Sequence, residues 1–260
     1  MPKHKTMDVN KNSYTFGFAA LMVVLVASLL SVAAISLKPM QDENIEAEKK
    51  QNILSTLGIE VSREKAAEVY KEKITDAYVI NSSGERVEGD AFTVDLGKEL
   101  KKTTNSQVFP IFESDENGSK SYIIPLRGKG LWGPIWGYLA LQEDMSTVSG
   151  AVFDHKSETP GLGAEISLSW FQEPFIGKQL FDGTEFMSIK VVKGGADEGD
   201  MHGVDGISGG TITADGVSDM LEERLSNYLP FFTEKMNTMI DLEPDSILLD
   251  TSMVYTLNSL

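Results

Sequence analysis

Residues 122–141 read YIIPLRGKGLWGPIWGYLAL. Two apolar runs, YIIPL (122–126) and IWGYLAL (135–141), flank a segment in which glycine recurs at positions 128, 130, 133 and 137. Short runs of aliphatic and aromatic residues bounded by Gly and Pro read as strands. Working upstream, Ala77–Asn81, then Ser-Ser-Gly-Glu, then Arg86-Val87 reads as a hairpin, and ESDENGSK (Glu113–Lys120) as a polar turn or loop. Downstream, STVSGAVF (146–153) and FMSIKVV (186–192) read as further strands. Three segments carry helical signals. Residues 41–57 are rich in helix formers and end at Gly58, a plausible residue just past a helix. Ser62 is placed to cap a helix in which Ala66, Val69, Tyr70 and Ile74 recur every three or four residues. Between Thr213 and Phe232 an apolar stripe runs through Val217, Met220, Leu221, Leu225, Tyr228 and Leu229. Strands interleaved with few helices imply an α+β body.

Ahead of this body, Tyr14–Leu37 reads YTFGFAALMVVLVASLLSVAAISL without one charge. At about 1.5 Å per residue that length crosses a hydrocarbon core of about 30 Å with some tilt. The run continues past Ser31-Val32-Ala33, the one place that imitates a signal-peptide cleavage site, so the expected element is a retained anchor in lipid. Lys3, Lys5 and Lys11 precede it and acids dominate from Asp42 onward, which favours a cytoplasmic N-terminus with the body outside. The expected organisation is a cytoplasmic tail at 1–13, a transmembrane helix at 14–37, a juxtamembrane stalk and first helix at 38–75, and a mixed α/β domain at 76–260.

Composition excludes several functions. The formal charge is −16, and because residues 1–37 carry +2, the rest carries −18. Such a body repels phosphate backbones, so nucleic acid is not a partner, and solubility suffices to explain the charge. There is no cysteine, which removes disulfides, iron–sulfur ligation and thiolate chemistry. With three histidines, one of them in the tail, a His-rich metal site is not expected. No Gly-x-Ser-x-Gly supports Ser208 or Ser149 as a hydrolase nucleophile.

The chemistry is sought at Asp205-Gly206-Ile207-Ser208-Gly209-Gly210-Thr211-Ile212-Thr213. Its glycines allow backbone to turn sharply and approach a ligand, and Ser208, Thr211 and Thr213 add hydroxyls. A helix expected to begin near Asp215 offers unpaired N–H groups and a positive dipole end, which suit a phosphate. Lys190 and Lys193 could add charge to the same corner. Taken alone, Gly-Gly-Thr before a helix is equally a tight turn with a capping residue. There is no Gly-Lys-Ser/Thr of a P-loop and no dinucleotide-binding G-x-G-x-x-G between strand and helix. Two other segments stand out: Glu158-Thr159-Pro160-Gly161-Leu162-Gly163, and residues 128–138 with Trp132 and Trp136 among glycines. Burial habits favour core packing for those tryptophans, whereas glycine-lined backbone beside apolar side chains also suits a flat amphipathic ring.

These three segments, in this order after a short tail and one span, resemble the FMN-binding domains of sodium-pumping NADH:quinone reductases and Rnf complexes. Asp205, Ser208, Gly209 and Thr211 match that family's flavinylation motif, Asp-x-x-Ser/Thr-Gly-Ala-Thr/Ser, with Gly210 where alanine is usual. The resemblance implies FMN held covalently by a phosphoester on Thr211, and a separate flavin transferase that attaches it with FAD as donor. It places Thr159, Leu162 and Gly161 against the flavin with Glu158 and Trp132 nearby, has Lys193, Ser208, Gly209 and Gly210 hold phosphate or ring, and leaves Asp205 to assist transfer or cap the turn. It further implies an electron-carrying subunit of a bacterial inner-membrane, Na+-translocating NADH:quinone oxidoreductase, partnered by that complex's other subunits. An Rnf-type subunit and a flavin-free membrane-anchored scaffold are the alternatives. Nothing in the chain resembles a nicotinamide site, so NADH oxidation falls to another subunit.

Overall fold

The computed structural model describes residues 11–116 and 118–242; the Lys3 and Lys5 end of the expected tail and the last stretch of the expected domain 76–260 lie outside them. In chain order the elements are α1 (Asn12–Ser55), α2 (Arg63–Lys73), β1 (Ile74–Ile80), β2 (Arg86–Val87), the one-turn α3 (Leu96–Glu99), β3 (Phe109–Glu116), β4 (Ser119–Lys129), β5 (Pro134–Gln142) and β6 (Val148–His155). There follow the one-turn α4 (Ser169–Gln172), β7 (Phe181–Asp182), β8 (Glu185–Phe186), β9 (Lys190–Val192), β10 (Gly203–Asp205), α5 (Thr211–Leu225) and α6 (Leu229–Leu242). The chain divides into two units, one ending at Glu48 and the other beginning at Lys49.

In the first unit, α1 carries the apolar run. Its best 18-residue window has a mean hydropathy of 2.7 and none of it is buried, so by length and composition it can cross a membrane. The expected stalk helix is not separate: the helix continues from the span without a break and ends at Ser55. Gly58 then takes a φ of +73° and the Ile59 amide bonds back to the Leu54 carbonyl, the left-handed close that glycine makes inexpensive.

The second unit is built on a six-stranded antiparallel sheet in the order β2-β1-β3-β4-β5-β6. The hairpin expected at 77–87 is β1–β2, with Val79 opposite Val87. Along β4, Tyr122, Ile124 and Leu126 face one core, shared with Val217, Met220, Leu221 and Phe232, while Ile123 faces a second core with Ile53, Phe112 and Tyr138. Both faces of the sheet are covered, which is why YIIPL and IWGYLAL show no polar alternation.

Several expectations are corrected. Most of Glu113–Lys120 is strand, closing the β3–β4 hairpin, because its backbone pairs across the two strands from Glu113↔Tyr122 to Glu116↔Ser119 whatever the polarity of its side chains. FMSIKVV is not one strand. It breaks at buried Ser188, whose φ of +59° is incompatible with a pleat, and both the Met187 and Ser188 amides bond to the Leu180 carbonyl. Ser62 is the N-cap residue of α2, but its side chain makes no capping bond. The last helix begins at Thr211 and not near Asp215, and at Ser226–Tyr228 a 3₁₀ turn divides the apolar stripe between α5 and α6.

Ser188 also yields a prediction. Its hydroxyl is buried without a partner among the described residues. Ser188→Gly removes both the left-handed strain and the orphaned hydroxyl, set against glycine's larger unfolded-state entropy. A net gain of about 0.5–1 kcal/mol is expected. It is read as a higher urea midpoint at an unchanged denaturant slope.

Candidate functional site

The site forms where three loops meet the start of α5. The first is the β4–β5 connection at 130–133, the second is 158–163 after β6, and the third is 206–210 after β10. Ile207–Gly210 closes a turn through Gly210 N–H to the Ile207 carbonyl at 3.0 Å, with Gly209 at φ +76° in the position that demands glycine. A Cβ on Gly209 would lie 2.7 Å from Leu162 Cδ2, so the absence of a side chain also lets the second and third loops touch. Thr159–Leu162 closes an equivalent turn, with Pro160 then Gly161 (φ +76°) at its corners and Leu162 N–H bonded to the Thr159 carbonyl at 3.1 Å.

The first helical bond of α5 runs from Ala214 N–H to the Gly210 carbonyl, 3.0 Å. The amides of Thr211, Ile212 and Thr213 therefore lie outside the helix's own ladder, and the first turn contains no acidic residue to offset the dipole. Two cavities adjoin this turn and share Thr211. One, of about 290 Å³, is lined by Lys193, Ser208, Gly209 and Asp215 together with Thr211. The other, of about 360 Å³, is lined by Leu131, Trp132, Thr159, Leu162, Gly209, Gly210, Ile212 and Glu158. The first is the more polar of the two and sets Lys193, with Asp215, beside helix amides; the second has an aliphatic and aromatic rim. Trp132 is 66% exposed there, contrary to the core packing that burial habits favour, and Leu131, Leu162 and Ile212 are exposed beside it.

Thr211 and Thr213, two residues apart, have opposite situations. Thr211 is half-buried between the cavities. Thr213 is 1% exposed and donates its hydroxyl proton to Glu158 Oε2 at 2.6 Å. The other Glu158 oxygen accepts the Trp132 N–H at 2.8 Å. Burial opposes ionisation of Glu158, but the Thr213 hydroxyl and the amides of Trp132, Gly133 and Leu131 outweigh it and hold the carboxyl below the usual carboxylate range. Glu158 thus fastens the first loop to α5. Gly163 packs against this pair so closely that a Cβ would lie 2.7 Å from Glu158 Oε2.

Of the residues singled out from sequence, Thr211, Ser208, Gly209, Gly210, Lys193, Thr159, Leu162, Glu158 and Trp132 line one or both cavities. Two do not. Asp205 turns away to accept the Ala196 N–H at 2.8 Å, so it caps the 194–196 turn. Gly161 lies outside both linings, its amide donating to Glu165 Oε1 at 3.1 Å. His155 Nδ1 accepts the Glu158 N–H at 3.2 Å, and His202 Nδ1 lies 2.8 Å from the Gln179 carbonyl, so both serve loop backbone. Sequence reasoning missed Ile212 and the Thr213–Glu158 pair. Ile212 had a signal: it is apolar yet out of phase with the stripe that α5 buries.

Residues 130–226, which contain all three loops, match the FMN-binding domain family. The C subunit of the Na(+)-translocating NADH-quinone reductase of Vibrio vulnificus (strain YJ016) is 33% identical over 221 residues, covering 78% of this chain and 86% of that protein. Its counterpart from Yersinia pestis is 31% identical over 237 residues, covering 82% and 89%. Among solved structures, the corresponding protein from Parabacteroides distasonis superposes with a TM-score of 0.71 at 44% identity, covering 76% of this chain and 97% of that one. NqrC of Shewanella oneidensis gives 0.62 at 26% identity, covering 74% and 96%. Since similarity at this level extends over nearly the whole length of these relatives, the chain belongs to the NqrC family, the C subunits of the Na(+)-translocating NADH-quinone reductases.

Proposed function

We propose that this chain is an electron-carrying subunit of a membrane Na+-translocating NADH:quinone reductase, with FMN esterified through its phosphate to the Thr211 hydroxyl. The observation that carries the reading is Thr211 itself, a threonine at a helix start shared by a cavity that holds Lys193 and one with an apolar rim. When bound, FMN supplies reversible acceptance and release of electrons, which no side chain here provides.

The residues fit that group. The Lys193 ammonium, the Ser208 hydroxyl and the free amides of α5 receive a phosphate. Trp132, Leu131, Leu162 and Ile212 offer apolar surface to a flat ring and exclude water from it. Glu158 holds the Trp132 loop in place and keeps the Thr213 hydroxyl occupied, so Thr211 is the hydroxyl left for esterification. In that reaction Thr211 Oγ1 forms a bond to the FMN phosphorus while the pyrophosphate bond of an FAD donor breaks, releasing AMP and the hydroxyl proton. A separate flavin transferase performs it.

The apolar run of α1 anchors the chain in the inner membrane. The lysines before it support a cytoplasmic N-terminus and a periplasmic FMN domain. Partners are the other subunits of the complex, as the relatives' names support. The test is to co-express the chain with a flavin transferase, denature it, and image the gel for flavin fluorescence. A fluorescent band at the chain's position is expected; a dark one refutes the covalent carrier.

A further inference from the structure

A third cavity, about 280 Å³, lies on the other face of the sheet, away from Thr211. Two prolines open it. The β3–β4 ladder is paired from Glu116↔Ser119 to Phe112↔Ile123 and then stops. Two residues further on, the same register would set Pro110 opposite Pro125. Neither carries an N–H, so the ladder cannot continue and the strands part. Both prolines line the gap.

Arg127 and Trp136 stand in it. They are direct partners across β4 and β5, hence neighbours on one face of the sheet. The charged groups around them differ in one respect. The Lys49 ammonium donates to the Phe92 carbonyl and lies 4.6 Å from the centre of the Phe92 ring. Asp95 caps α3, accepting the Gly97 and Lys98 amides at 2.9 and 3.3 Å. Arg127, half-buried, has no hydrogen bond or ion pair among the described residues. A guanidinium cannot shed its charge, and with no protein partner its donors are met by solvent alone, which leaves the fork open to an anion. In a body that is otherwise strongly acidic, this cavity holds two cations, Lys49 and Arg127, against the single carboxylate of Asp95, with the Arg127 fork beside a flat indole.

We propose that this cavity binds a small aromatic carboxylate, with the carboxylate on the Arg127 fork and the ring against Trp136. The fork matches two carboxylate oxygens. A cavity of this size accepts one or two rings. The acidic body and nearby Asp95 disfavour a dianion such as phosphate. The proposal is independent of the flavin reading.

The test uses the full chain in lipid nanodiscs and follows the ¹⁹F line width of 4-(trifluoromethyl)benzoate. Saturable broadening beyond that of empty nanodiscs is expected. Arg127→Gln and Trp136→Leu should each weaken it at least tenfold, and Arg127→Lys, which keeps the charge and loses the fork, should give an intermediate loss. Unchanged thermal midpoints of these variants verify folding. The neutral 4-(trifluoromethyl)benzamide should not broaden, and equimolar inorganic phosphate should not displace the benzoate. Four results would each overturn the proposal: no broadening above empty nanodiscs, equal binding of the benzamide, full binding by Arg127→Gln, or displacement by equimolar phosphate.

Discussion

Thr211→Ala leaves the denatured chain with no flavin fluorescence in a gel, while Thr213→Ala keeps the band. The two hydroxyls lie two residues apart at the start of the same helix, and the motif resemblance chose Thr211 without a physical reason against Thr213. Burial and hydrogen bonding do. The Thr213 hydroxyl is enclosed and its proton is committed to Glu158. Thr211 opens to both cavities. Loss of the band is complete, since esterification needs an oxygen that alanine lacks. Thr211→Ser should restore a fluorescent band, because the nucleophilic oxygen returns. Thr213→Ala is not silent in other respects. It leaves one Glu158 oxygen without its buried donor, and a loss of about 1–3 kcal/mol in unfolding free energy is expected. A dark band from Thr213→Ala together with a bright one from Thr211→Ala would transfer the attachment to Thr213.

The second large effect is on stability. Glu158→Ala removes the acceptor shared by the Thr213 hydroxyl and the amides of Leu131, Trp132 and Gly133, leaving the buried hydroxyl unpaired and untying the 131–133 loop from α5. A loss of about 3–5 kcal/mol is expected in urea unfolding. Glu158→Gln is milder, since the amide can accept on one side only. The pH dependence has a definite sign. The folded carboxyl titrates below its unfolded value, so the unfolded state takes up the proton first as pH falls. The stabilisation is full above the ordinary glutamate pKa of about 4.3 and fades as pH drops through the lower folded value. The stability gap between wild type and Glu158→Gln should therefore be flat above about pH 5 and narrow below about pH 4. A gap that widened in acid would contradict the assigned direction. Near neutral pH the variant should also loosen the loop that carries Trp132, read as a change in tryptophan emission.

The flavin motif was legible because its residues are local. Seven consecutive positions, Asp205 to Thr211, specify a turn and a helix start whatever surrounds them, and glycine at 209 is required by backbone geometry alone. The same locality explains the errors. Asp205 belongs to the motif by spacing, yet β10 aims it at the 194–196 turn. FMSIKVV has the composition of a strand, and only the Leu180 carbonyl, which takes both the Met187 and Ser188 amides, breaks it. Burial habits alone put Trp132 in the core while the resemblance put it beside the flavin; its loop is pinned from below by Glu158, which leaves the indole outward.

By itself, then, the sequence determined the apolar span, every strand of the central sheet but β3, and the glycine-rich turn ahead of α5, all of which follow from periodicity and backbone propensity within about ten residues. Only the tertiary structure showed that Thr213 is enclosed while Thr211 lies open. That contrast depends on Glu158, 55 residues from Thr213, being brought beneath the helix. It likewise decided that Arg127 has no side-chain partner among the described residues. The β3–β4 ladder stops before Pro110 and Pro125 and leaves a gap beside it, a juxtaposition that no local pattern encodes. Pairing, burial and isolation are properties of positions in space, and the chain acquires them on folding.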